Sequence, residues 1–370
     1  MSAVKSSNGR ALAILLTVAA AVWAVLRVGI NTIPDLPQAA ATAALWPQEH
    51  LADTSSFIRN SPIGQILYRV IGSSGPREFL ILHVVAGIAA LVLWIAWVSR
   101  SVPTQQRTRA ARLALLTPLL ALIVSFFGSY DPFTVLGFGA LLFAWTMQSR
   151  VFLIIAGCYL GFQHFEQSCV AVVALMLAAA ALSSSLPRKF ESWRKLFWAL
   201  GGIFIGKLVL SGVLYSTVGN SVFGRDAYGT SSWLHIGLVS GTNFLPIFVY
   251  SLFASSWALV LSIFLEVNRR AKFQLVLSFL VCLVPAYLAI DHTRVFVLTS
   301  APAIALLIVA TIWKLHDQPA IRLTLVEVIA WVCVPVIFWT GMDGRPYLQH
   351  TGWIDLFIMF GQQWNGFPVN

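Results

Sequence analysis

Recurrent apolar stretches, a bias of basic residues toward alternate loops and a general scarcity of charge predict an all-α, polytopic integral membrane protein. Of 370 residues, 58% are hydrophobic and 10% charged, and the mean hydropathy is +0.80. A soluble domain carries about 25% charged residues, so a soluble fold is excluded. Apolar runs occur near 11–30, 79–98, 112–128, 134–148, 151–163, 168–184, 196–216, 243–265, 274–290, 297–313 and 323–341. A helix needs about 20 residues to cross the hydrocarbon, and the expectation is about eleven spans. The run 151–163 is the shortest of them. Lys5 and Arg10 before the first run, and the Ala-rich segment at 39–45, also resemble a secretion signal. The run is long for a signal core and the Ala segment lies far downstream, so it reads as a span.

Lys and Arg set the orientation. With the N-terminus inside, 16 of the 24 basic residues fall in cytoplasmic segments, among them Arg107, Arg109, Arg112, Arg269, Arg270 and Lys272. The opposite orientation reverses that bias, so the expected arrangement is N-in and C-out. The net charge of +10 is then a topology signal reinforced by anionic lipid, and it implies no nucleic-acid partner. Acids distribute the other way: 10 of 14, together with six of the seven His, fall on the outer side. Proton-transferring and cation-binding groups therefore collect on one face.

The whole of 1–370 reads as a single transmembrane domain. Residues 31–78 form the longest external loop and carry Asp35, Glu49 and Asp53. In the run Phe57 to Ile71, apolar residues at 63, 66, 67, 70 and 71 repeat at helical spacing behind Ser61 and Pro62, which predicts an interfacial helix. The turn Gly128–Phe133 holds Asp131, whose place before Pro132 also suits a helix cap. Gln163-His164-Phe165-Glu166-Gln167 packs two titratable groups into a tight hairpin expected to line a polar cavity. Lys207 sits mid-span, where a charge marks a function or a buried partner.

A second external loop, 217–242, contains the glycine-flanked Arg225 and an amphipathic segment from Trp233 to Val239. Asp291-His292-Thr293-Arg294 is the densest polar cluster at a predicted membrane boundary, and Arg suits a forked grip on phosphate or carboxylate. Asp291 and Arg294 also fit an i,i+3 pair. The tail 342–370 is read as an external interfacial segment anchored by Trp353, Phe357, Phe360 and Trp364. The short basic loops on the cytoplasmic side carry no phosphate-loop signature, which argues against ATP-driven transport. The four Cys show no ligand-like spacing, and neither a metal nor another cofactor is indicated.

A first span, a long external loop with an acid and surface helices, and a short acidic turn after the third span resemble the GT-C superfamily of membrane glycosyltransferases. Asp53-Thr-Ser-Ser-Phe57-Ile-Arg-Asn-Ser61-Pro62 looks like that family's acid–aromatic–proline run, although its second, adjacent acid is Thr54 here. Asp291-His292-Thr293-Arg294 before a late span is similar to bacterial polysaccharide polymerases. The resemblance implies a polyprenyl-phosphate-linked sugar donor, a glycan or lipid-linked acceptor, and a bacterial cytoplasmic membrane with the site facing the periplasm. It implies Asp53 (or Asp35) and Asp131 as the carboxylates at the reacting groups. A carboxylate must take the acceptor proton, and a cation must hold the leaving phosphate. Arg294, Lys207 or Arg225 suits the second task, with Asp291, His292, His164 and Glu166 completing the binding groups. The alternative is a multi-pass transporter or lipid-linked-sugar flippase, for which internal repeats and further mid-membrane charges would be expected.

Overall fold

A computed structural model describes residues 2–30, 36–46, 62–72, 75–187, 190, 192–218, 231–243, 245–289, 291–316, 320–333, 337–340 and 346–349. Its helices are α1 (Ser2–Val28), α2 (Leu36–Leu45), α3 (Ile63–Val70), α4 (Pro76–Arg100), α5 (Arg107–Leu116), α6 (Pro118–Ser125), α7 (Asp131–Thr146), α8 (Arg150–Leu182), α9 (Leu196–Val218), α10 (Ser231–Asn243), α11 (Leu245–Phe253), α12 (Trp257–Glu266), α13 (Arg269–Leu288), α14 (His292–Leu315) and α15 (Ala320–Val332). Among the described residues, six stretches are long and apolar enough to cross a membrane, or seven if the bent pair 104–116 and 118–125 is one span. α14 is the centre: 94% of its apolar window is buried, as expected of a helix that is apolar all round. Peripheral helices leave large apolar side chains such as Val85, Val92, Leu208 and Val284 exposed, which suits a lipid surround.

Among the described residues this count is below the expected eleven, and several of the apolar runs there are bent, short or joined rather than straight, full-length helices. The run 112–128 breaks where Pro118 lacks an N–H for the Ala114 carbonyl. Thr117, pushed to an extended conformation (φ −69°, ψ 158°) by the following proline, donates its Oγ1 to that carbonyl at 2.7 Å. The two halves are bent by 50°. A second break separates α11 from α12 at Ala254–Ser256, where Ala254 has φ +41°. Ser255 Oγ donates across to the Leu116 carbonyl, so the two breaks face each other.

The runs 151–163 and 168–184 lie in one helical stretch, α8, interrupted at His164 (φ −160°, ψ 90°). A straight helix of this length would be about 50 Å long. The ten residues that follow it reach at most about 36 Å, yet Ser192 Oγ donates to Gln148 Oε1 just before its start. Ser168 Oγ also donates to the Leu160 carbonyl at 3.1 Å, eight residues away. The chain therefore folds back at His164 into two arms.

One expectation needs correction at the C-terminal side. The run 323–341 is not one span: α15 has 13 residues, about 20 Å, and the chain continues as an extended strand. That strand, β1 (Ile337–Thr340), pairs antiparallel with β2 (Pro346–Gln349), Ile337 opposite Gln349. The described residues are thus all-helical, as expected, apart from this one small hairpin, which pairs backbone groups beside α14. Residues 350–370 of the expected interfacial tail lie outside the described residues.

Close helix packing on the first arm of α8 is set by glycines. A Cβ on Gly161 would stand 1.9 Å from the Ile203 carbonyl, and one on Gly206 would stand 2.0 Å from the Cys158 carbonyl. Gly157 faces Ala199 and Gly161 faces Ile203, so this arm and α9 run parallel, as the fold-back at His164 demands. Gly161→Ala is expected to lower stability by about 1–3 kcal/mol. Gly201→Ala, which meets nothing within 4 Å, is expected to stay within about 0.5 kcal/mol. Thermal unfolding in detergent micelles separates the two.

Candidate functional site

Asp131 and Arg294 meet. Gly128 takes φ +98° to turn the chain after α6, and α7 begins at Asp131 with Pro132 in its first turn. Tyr130, not Asp131, is the capping position. The carboxylate lies in the first helical turn, where the helix dipole favours it, and its oxygens point across to α14. Arg294 Nε donates to Oδ2 at 2.8 Å and Nη2 to Oδ1 at 3.1 Å, while Nη1 donates to Asp291 Oδ2 at 3.1 Å. Two parallel charge-assisted bonds are the strongest form of this interaction. The guanidinium lies over the Tyr130 ring at 4.7 Å and the Phe126 ring at 5.6 Å. Asp131 is 0% exposed, so in this arrangement it offers no face to an acceptor hydroxyl. The sequence offered Asp131 as a carboxylate at the reacting groups and Arg294 as a cation for phosphate; the structure joins the two in one buried pair.

A second cluster surrounds the fold-back. The His164 ring lies 5.1 Å from that of Tyr130. His164 Nδ1 is 3.7 Å from Glu166 Oε2, and Lys207 Nζ is 3.9 Å from Glu166 Oε1. Lys207 also sits over the Phe165 ring at 5.7 Å. Lys207 is buried, whereas the Glu166 side chain is 44% exposed, so the pair opens to one side. Gln163 ties three elements together: its Nε2 donates to the Tyr130 carbonyl at 3.4 Å, and its Oε1 accepts from the Ile63 N–H at 3.1 Å. Gln65 Oε1, Gln167 Oε1 and Ser211 Oγ are buried without a hydrogen-bond partner among the described residues. Ser211 lies one turn beyond Lys207 on the same face of α9.

α3 covers this region. It turns Gly64, Gln65 and Tyr68 inward and leaves Leu67, Val70 and Ile71 exposed, the reverse of a helix in a soluble protein. Gly64 admits the approach, since a Cβ there would stand 2.9 Å from the Phe133 ring. Tyr68 donates to the Gly75 carbonyl at 2.8 Å, and burial, helped by the Glu78 carboxylate, raises its phenol above the ordinary tyrosine range. Beneath α3, His83 contacts the Phe79 and Phe133 rings, with Nδ1 2.8 Å from the Phe79 carbonyl. Composition placed His83 only among the outer histidines.

His292 belongs to different neighbours. Its Nδ1 is 2.9 Å from the Ala286 carbonyl and its ring meets Phe248 at 5.3 Å. Beside it, α11, α12 and α13 enclose an apolar groove of about 650 Å³, lined by Phe248, Phe253, Trp257, Phe279, Tyr287 and Phe296 among others. Asp35, Asp53 and Arg225 lie outside the described residues. No group of three or more His, Cys, Asp or Glu among the described residues has metal-binding geometry.

At the opposite end, sequence reasoning passed over Glu327. It accepts from Arg109 Nε at 2.9 Å and from Arg112 Nε, joining α15 to α5. A lone acid in an apolar run was the available signal.

Breaking a buried ion pair from one side costs about 3–5 kcal/mol, far more than replacing both partners. Asp131→Asn and Arg294→Gln are each expected to unfold at markedly lower temperature, and Asp131→Leu/Arg294→Met to recover most of the loss. Melting of the four proteins in one detergent tests this. No family model, curated protein or solved structure matches the chain.

Proposed function

We propose that the protein is a membrane glycosyltransferase or glycan polymerase. It moves a sugar or oligosaccharide from a polyprenyl-phosphate-linked donor to a glycan or lipid-linked acceptor at the outer face of a bacterial cytoplasmic membrane. The observation that carries this reading is the Glu166–Lys207 pair. It is half open. Beside it lie Gln167 Oε1, next to Glu166 in the chain, and Ser211 Oγ, one turn beyond Lys207, both buried without a partner among the described residues. Gln65 Oε1, on the covering helix α3, is likewise buried without one among them. Such groups ask for a polar ligand, and a sugar offers hydroxyls of both kinds. The apolar groove beside His292 suits a hydrocarbon chain.

In the proposed step an acceptor oxygen bonds to the anomeric carbon of the donor. The bond from that carbon to the phosphate oxygen breaks, and the lipid phosphate leaves with the electron pair. The acceptor proton passes to a carboxylate, assigned to Asp53 or Asp35 of the first loop. Lys207, one helical turn from Ser211 and paired with Glu166, offsets charge on the departing phosphate. Asp131 and Arg294 hold the frame, fixing Tyr130 against His164. Inversion at the sugar carbon needs no second carboxylate nucleophile.

One observation favours the alternative of a transporter or flippase. One broken span, 104–125, faces a short 3-10 interruption at Ala254–Ser256 within the stretch 245–266, and interrupted helices are a feature that transporters use. The readings separate in cells lacking the gene. Transfer predicts loss of the surface glycan with the lipid-linked precursor accumulating on the outer leaflet, and Asp53→Asn and Lys207→Met reproducing the deletion at normal membrane levels. Precursor confined to the inner leaflet supports the flippase, and an unchanged glycan overturns both.

A further inference from the structure

We propose that the junction of the two breaks is a binding site for a single ordered water molecule, held by Trp94 and Ser256 in the apolar interior. The site is a small cavity among α4, α6, α11, the 254–256 turn and α14, lined by Trp94, Thr117, Ser256, Val297, Ser300 and Ala301 among others. The space open to a water centre is about 10 Å³, close to the minimum for one water and too small for a larger ligand.

Its walls are chemically specific. Trp94 and Ser256 are each 1% exposed. Trp94 Nε1 and Ser256 Oγ are both without a hydrogen-bond partner among the described residues. Both residues line this one cavity, and each of the two groups would carry the full desolvation penalty if left unmet. A water can accept from the indole N–H and exchange a bond with the serine hydroxyl. Ser300 of α14 lines the same cavity, and a serine hydroxyl can accept one of the water's protons. Thr117 Oγ1 and Ser255 Oγ are already committed to the Ala114 and Leu116 carbonyls, so the breaks use their own hydroxyls first and Trp94 and Ser256 remain for the ligand. A sodium ion is the wrong occupant: the indole nitrogen donates only, and a cation needs oxygen lone pairs on every side.

X-ray radiolytic footprinting of the full chain in lipid nanodiscs tests the site, because a bound water split in place oxidises the side chain beside it without access from bulk solvent. Trp97 and Trp145 are as buried as Trp94, and their Nε1 atoms are likewise without a hydrogen-bond partner among the described residues. Both pack against Phe190 and neither lines this cavity, so they serve as internal references in which only the cavity differs. Trp94 is expected to oxidise several-fold faster than either, and Ser256→Ala to bring its rate down toward theirs. Equal rates for the three tryptophans in the wild-type protein overturn the proposal, with no variant required. Protection of Trp94 by sodium but not by choline overturns it in favour of a cation.

Discussion

In an apolar surround every backbone N–H and carbonyl must find a partner within the protein, and most departures from straight helix in this chain are solutions to that demand. Pro118 removes one donor, and the hydroxyl of the residue before it replaces the lost bond. The carbonyl of Leu116 is met from a different helix, by Ser255, which itself sits in a break. The strand after α15 is paired with a second strand rather than left open. Interruptions are therefore placed where another interruption, or a side-chain hydroxyl, can answer them.

The same accounting governs the charges. Arg294 spends its donors on two carboxylates and rests its face on aromatic rings, while Glu327 holds two arginines at the far end of the bundle. Such pairs add little net stability compared with apolar replacements, but they forbid most alternative packings, because either partner alone would be stranded. Asp131–Arg294 fixes α7 against α14, and Glu327 fixes α15 against α5. The Glu166–Lys207 pair is looser, at 3.9 Å with one partner open. That looseness is why it, and not the tight pair, is assigned to substrate.

Much of this was legible in the sequence, but unevenly. Hydropathy marks apolar runs faithfully, yet it is blind to whether a run is one straight helix. The break at Thr117 could be read from Pro118, whereas the break at Ala254 has no proline or glycine to announce it. The end of α15 was hidden because Val332, Ile337 and Phe338 are as apolar as a span requires. Asp131, His164, Glu166, Lys207, Asp291 and Arg294 were all singled out as candidates by charge at a predicted boundary or depth. Their pairing was not, since 163 residues separate Asp131 from Arg294 and no local period connects them. Gln65 and Ser211 went unnoticed because neutral polar residues near helix ends are common, and only burial without a partner distinguishes them.

Gln163 joins α3, the turn at His164 and the start of α7 through its two amide atoms. α3 meanwhile presents Leu67, Val70 and Ile71 outward. A helix with an exposed apolar face is thus tied to the aromatic platform beneath Arg294. A displacement of α3 therefore passes through one glutamine to the backbone at Tyr130 and to the turn at His164.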